Sequence, residues 1–198
     1  MDKIKAIFAN KKTRMICICA LVVILLIVFL VVFVSNGYKR QIKALAKAGK
    51  NEDKIEKFVK NKMDLRALYA LGKAEYDSDK RKIDEDSFKD EYKDASKDDY
   101  ASDEVIESAA SVYSEMFEED DDQKWVIKKI GDLKKTTKDD TRFNVKGMKR
   151  CKVTLENKKA DDDAKSSEKK VDCKAYFYKG KLVALVPDFS SYGLDDLY

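Results

Sequence analysis

Met15 to Val34 is an unbroken apolar run, MICICALVVILLIVFLVVFV, without a single charged side chain. Twenty residues at about 1.5 Å rise each span the roughly 30 Å hydrocarbon core of a bilayer. A soluble helix of this length shows a polar face, and this segment has none. The run predicts a transmembrane helix over residues 15–35. A cleaved secretory leader is the competing reading, although its apolar core would be only about 7–15 residues. Ser35 and Gly37 carry the small-x-small spacing that cleavage uses, so that reading stays open. Cys17 and Cys19 sit at the start of the run, neither preceded by a small residue, and read as inert membrane-embedded thiols.

The charge distribution turns on this segment. The chain has 198 residues, 41 Lys and Arg, 37 Asp and Glu, and no His, for a net charge of +4. Lys3, Lys5, Lys11, Lys12 and Arg14 against Asp2 give residues 1–14 that whole excess, and residues 36–198 balance to zero. A basic nucleic-acid-binding domain is therefore not expected, because it would need a local excess of cations. Without His there is no His-based catalytic dyad and no His metal site. Lys39, Arg40, Lys43, Lys47 and Lys50 follow the run as closely as the first five cations precede it. The positive-inside comparison is thus a tie. A short tail with five cations resists translocation, whereas long C-terminal domains cross with little regard to charge. The expectation is a basic cytoplasmic tail at 1–14 and an extracytoplasmic chain over 36–198, in a single-pass protein of the cell membrane.

Beyond the membrane the pattern divides into a helical half and a strand half. Ile42, Leu45 and Ala46 share one face of a juxtamembrane helix within 36–50. Asn51 can cap a second helix carrying Ile55, Phe58 and Val59, and Asp64 a third carrying Leu65, Leu68 and Leu71. Residues 75–100 are weakly hydrophobic, with Ile83, Phe88 and Tyr92 able to dock a short helix. Residues 103–118, opened by Ser102 or Asp103, form the strongest helix. Val105, Ala109, Val112 and Met116 make one row, and Ile106, Ala110, Tyr113 and Phe117 the next.

From Lys124 the period becomes two. Strands are predicted at 124–135, with Gly131 a bulge, and at 148–157, 170–178 and 181–186. Lys179-Gly180 makes the last turn, because Gly supplies the positive φ that tight hairpins need. Pairing Tyr178 with Lys181 sets Phe177, Ala175 and Cys173 opposite Leu182, Ala184 and Val186. Tyr176, Tyr178, Val183 and Leu185 then share the other face, which is unusually apolar for a solvent side. With Trp125 they are the candidate ligand pocket or dimer face, a second possibility being that a helix or the C-terminal tail 188–198 covers them. Helices first and a meander afterwards give α+β, with helices on one face of a curved antiparallel sheet over 51–187.

Cys151 and Cys173 lie on consecutive predicted strands. Folding that hairpin about residue 162 places them opposite each other, within the separation a disulfide accepts. Outside the membrane the bond would form, contributing about 3 kcal/mol by closing a loop of roughly twenty residues. In a reducing compartment the two would instead be small buried hydrophobes.

Motifs for chemistry are absent from the sequence. The seven glycines form no GxGxxG and no phosphate loop. Asp77 and Asp79 begin something like a calcium loop, but Lys82 stands where Gly is needed and Phe88 where Glu is needed. No cofactor or metal is expected.

With the anchor, the Lys124-Trp125-Val126-Ile127 strand and the Phe177-Tyr178-Lys179-Gly180-Lys181-Leu182 hairpin in place, the chain resembles membrane-anchored extracytoplasmic proteins of Gram-positive bacteria with an NTF2-like (cystatin-like, conical α+β) domain. The resemblance is architectural and covers roughly residues 38–187. It implies a cone between helices and sheet that binds a small ligand or serves dimerisation without catalysis. The expectation is therefore a non-catalytic binding or interaction module that meets the bilayer and a protein partner or second copy through its sheet face. The alternatives are a pocket enzyme using carboxylates in the cone, or a regulatory or immunity-type partner of another membrane or secreted protein.

Overall fold

The computed structural model describes residues 37–161 and 164–188. The basic tail, the predicted span over 15–35 and the tail beyond Asp188 lie outside the described residues. Among the described residues no helix is long and apolar enough to cross a membrane.

Local capping chemistry starts most of the helices. Helix α1 runs Gly37–Ala48 and buries Ile42, Leu45 and Ala48. Asn51 opens α2 (Glu52–Lys62), its Oδ1 accepting from the Lys54 N–H at 3.2 Å. Asp64 opens α3 (Leu65–Lys73) through a 3.1 Å bond from the Ala67 N–H. A short hairpin, β1 (Tyr76–Asp77) and β2 (Lys82–Ile83), precedes α4 (Glu85–Asp94), which Asp84 caps. Ser96 caps the single-turn α5 (Lys97–Tyr100), and Ser102 caps α6 (Asp103–Phe117). Each side chain satisfies an amide that the first helical turn leaves without a partner.

The strands are β3 (Trp125–Ile130), β4 (Lys134–Lys135), β5 (Lys149–Asn157), β6 (Lys170–Tyr178) and β7 (Lys181–Pro187). A 3₁₀ segment at Lys138–Phe143 links β4 to β5, and the single-turn α7 (Ser166–Lys169) leads into β6. The sheet order is β3-β5-β6-β7, wholly antiparallel, with β4 continuing the β3 edge along β5. Lys179 (φ 48°) and Gly180 (φ 82°) both take the left-handed region, as a tight hairpin turn requires.

Two register shifts bend the sheet, one in β3 between Ile127 and Lys129 and one across β6 and β7. The second inserts Val183 as an extra residue. Phe177 still faces Leu182, but Tyr176 faces Ala184 and Ala175 faces Leu185. Leu185 consequently joins Leu182 on one face, where uninterrupted alternation had placed it with Val183 on the other.

Two apolar clusters lie on opposite faces of the sheet. The first packs α1, α2 and α6 on Cys151, Val153, Leu155, Cys173, Ala175, Phe177, Leu182 and Leu185. The second packs α3, β2, α4, Val145 and Met148 on Tyr176 and Val183. The α+β class holds, and the one-faced arrangement is corrected: helices cover both faces at the β6–β7 end. The exposed half of the second face carries a ladder of opposite charges. Lys128 and Lys158 both pair with Glu156. Lys152 lies 2.7 Å from Asp172, and Lys174 3.0 Å from Asp188.

Strand β7 is an edge, and other elements seal it. Gln41 of α1 accepts from the Leu182 N–H at 2.9 Å and donates to the Gly180 carbonyl at 2.8 Å. The Leu182 carbonyl accepts from the Asp64 N–H at 2.7 Å. The Leu185 N–H donates to the Tyr113 hydroxyl at 3.2 Å. The other edge, β3 and β4, carries Lys128, Lys129, Lys134 and Lys135 and a bulge, devices that oppose edge-to-edge pairing.

Candidate functional site

The five residues expected to form one surface are divided between the two faces. Trp125 is half-buried beside the first cluster, its indole N–H donating to Gln123 at 3.0 Å. Leu185 is buried in the same cluster because of the Val183 bulge. Tyr176 and Val183 are buried in the second cluster, with Tyr178 half-buried against it. No single pocket or dimer face contains all five.

The cysteines are also displaced from their expected places. Cys151 faces Ala175 and Cys173 faces Val153, so the hairpin axis falls one residue later than residue 162. The two residues are diagonal neighbours, a relation that sets Cα atoms about 7–8 Å apart, beyond what a disulfide spans without backbone movement. Both are free and buried, which corrects the expected bond. Burial pushes the Cys151 thiol up to about 11 and the Cys173 thiol up to about 12. Neither is a nucleophile near neutral pH, because the thiolate is the reactive form.

Around Asp140 the structure assembles a group that no motif announced. Its carboxylate is fully buried; Oδ1 accepts from the Tyr176 hydroxyl at 3.0 Å and Oδ2 from the Thr137 N–H at 2.6 Å. Arg150 Nε lies 2.9 Å from Oδ2, an ion pair without hydrogen-bond alignment. Phe143 stacks on Tyr176 at 3.9 Å between ring centres. Burial, then the Asp140 charge, pushes the Tyr176 phenol well above its ordinary range. The phenol therefore holds its proton, and the cluster clamps the 3₁₀ segment onto the sheet. Thr141, at φ 42°, is the strained residue of that clamp. The Thr137-x-x-Asp140 capping-box spacing was the available sequence signal.

Aromatic residues and cations meet at the β6–β7 turn. Tyr178 lies 5.3 Å from both Phe88 and Tyr92, edge to face. Lys179 Nζ stands 4.5 Å over the Tyr92 ring, and Arg66 stacks between Tyr92 at 5.6 Å and Tyr100 at 5.4 Å. Arg66 also donates to the Ala95 carbonyl at 2.6 Å, and Tyr92 to Asp64 at 3.4 Å. These contacts fasten α4 and α5 to α3 and to the hairpin.

An open groove of about 770 Å³ runs between α2 and α6. Its walls carry Glu52, Glu56, Glu107, Glu115 and Glu118 against Lys50, with Ile55 and Ala110 at the base. Val112, on the neighbouring turn of α6, is 55% exposed. Of the two α6 rows, Ile106, Ala110, Tyr113 and Phe117 face the core.

Carboxylates do not converge within the helix–sheet interior. That interior is lined by aliphatic and aromatic side chains, Met63 and the two thiols. The two buried carboxylates among the described residues, Asp64 and Asp140, lie outside it and have the partners given above. Among the described residues no cluster of three or more Cys, Asp or Glu is placed to hold a metal ion. No family model, curated protein or solved structure matches the chain.

Proposed function

We propose that this protein is a membrane-anchored, extracytoplasmic binding or interaction module without catalysis, built on an NTF2-like cone. The observation that carries the reading is the filled interior. Ile42, Leu45, Ile55, Val59, Val153 and Leu182 meet there with no exposed surface. Recognition is therefore assigned to the outer surface. The apolar run at 15–34 and the neutral, charge-dense chain that follows support the tether and its orientation. Three helices against one face of a sheet bent by two bulges support the cone.

The sheet face is not the proposed interface, because Tyr176 and Val183 are covered and the remainder is a ladder of ion pairs. Protease treatment of intact cells tests the reading. Digestion of residues 38–188 without lysis is the expected result, and complete protection overturns the extracytoplasmic placement.

A further inference from the structure

Helix α1 contains no acidic residue, and three of its four cations share one side, Lys39 being half-buried towards Cys151. Ile42, Leu45 and Ala48 are buried against the sheet, while Arg40, Lys43, Ala44 and Lys47 are exposed. At 3.6 residues per turn those four positions fall within an arc of about 100° on the opposite face. Lys50 extends the stripe beyond the helix end, 3.9 Å from Glu119 and at the rim of the groove between α2 and α6.

Chain length limits where this stripe can be. Only Ser35 and Asn36 separate the apolar run from Gly37, and three residue steps reach at most about 11 Å. The helix therefore begins within or beside the headgroup layer of the membrane that the proposed anchor spans. Standing upright, a helix of 12 residues would carry Lys47 about 15 Å farther out, past the Debye length of about 8–10 Å. Lying flat, it brings Arg40, Lys43, Lys47 and Lys50 within that length together.

We infer that the basic stripe of α1 docks on anionic phospholipid headgroups, holding the domain flat on the bilayer with α1 beneath it. The inference rests on the anchor reading and adds the surface and the lipid chemistry. Each cation near an anionic surface multiplies residence there by about five-fold, so removing two lowers the docked fraction relative to the free by about 25-fold.

The test uses the full chain with Cys17→Ala, Cys19→Ala and Ala44→Cys, labelled with a fluorophore at position 44. It is reconstituted in phosphatidylcholine vesicles with and without an equal part of phosphatidylglycerol, each containing a headgroup nitroxide quencher. The expected result is stronger quenching with phosphatidylglycerol, weakened by high salt and by Lys43→Gln with Lys47→Gln. Equal quenching in both vesicles, or indifference to the double substitution, overturns the docking. Alkaline carbonate extraction separates the two readings. A chain that stays in the bilayer with indifferent quenching sinks the docking alone, and a chain that is extracted sinks the anchor as well. The urea midpoint of the double variant, expected to be unchanged, confirms that both lysines lie on the surface.

Discussion

Cys173 of β6 pairs with Val153 of β5, which leaves Cys151 one diagonal step away, opposite Ala175. A slip of one residue in the turn moves every pair by two and takes both thiols out of bonding range. The prediction is two free thiols in protein isolated without reductant. Alkylation of the native chain should leave Cys151 and Cys173 unlabelled, and unfolding without reductant should label both. Resistance to labelling after unfolding, relieved by a reductant, would show that the bond forms.

Those thiols also bear on stability at alkaline pH. Burial raises Cys151 to about 11, and both Cys173 and Tyr113 to about 12. In the unfolded chain a thiol titrates near 8.5 and a phenol near 10. The folded form keeps protons that the unfolded form releases. The stability contribution is thus complete below about pH 8.5 and declines as pH rises towards 11–12. Each such group steepens the decline by about 1.4 kcal/mol per pH unit within its own window. Urea unfolding between pH 7 and pH 11 (roughly the span of these shifts) should show that decline. Cys173→Ala should be less stable at neutral pH yet lose less on going alkaline, and an unchanged slope would refute the assignment.

How much was legible follows the range of each interaction. Asn51, Asp64 and Ser102 were readable as caps because the bond spans three residues and depends on little else. The Lys179-Gly180 turn was readable because both φ values are local. The Val183 bulge was not, because nothing in Lys181–Pro187 marks the extra residue, and its consequence was to move Leu185 to the other face. The β5–β6 register depends on how the 158–169 connection divides, and α7 makes that division asymmetric. The apolar excess at Tyr176, Tyr178 and Val183 did signal a second covered face. What covers it, α3 with Phe88 of α4, depends on packing between distant segments.

Asp140 is the most consequential buried charge. Asp140→Ala would leave Arg150 without its counter-ion and the Tyr176 hydroxyl without an acceptor in a buried site. Removing one member of such a pair costs about 3–5 kcal/mol. The predicted result is a large fall in the urea midpoint, with loss of the Phe143–Tyr176 stack. Adding Arg150→Met should restore part of the loss, because the uncompensated charge is then gone. A single variant within about 0.5 kcal/mol of the parent would place Asp140 among ordinary surface residues.

At the edge of the sheet, Tyr113→Phe removes the only acceptor in contact with the Leu185 N–H among the described residues. Leaving a buried donor unsatisfied costs about 1–3 kcal/mol. The Leu185 amide should then exchange with solvent faster than those of β6, which remain paired on both sides. Equal exchange in parent and variant would mean that the hydroxyl does not seal this edge.

Two glycines should respond to the same substitution with opposite signs. A Cβ on Gly49 would come within 2.8 Å of the Tyr113 carbonyl and 2.9 Å of Phe117 Cβ, so α1 leaves α6 no room there. Both obstacles are fixed by the α6 backbone and cannot swing aside. Gly49→Ala should therefore destabilise by about 1–3 kcal/mol through forced separation of the two helices. Gly72 lies within α3, and a Cβ there meets nothing within 4 Å. Gly72→Ala should stabilise by about 0.5–1 kcal/mol, because glycine loses more backbone freedom on entering a helix than alanine does. Paired urea titrations read both signs together. A stabilising Gly49→Ala would refute the close approach of α1 and α6.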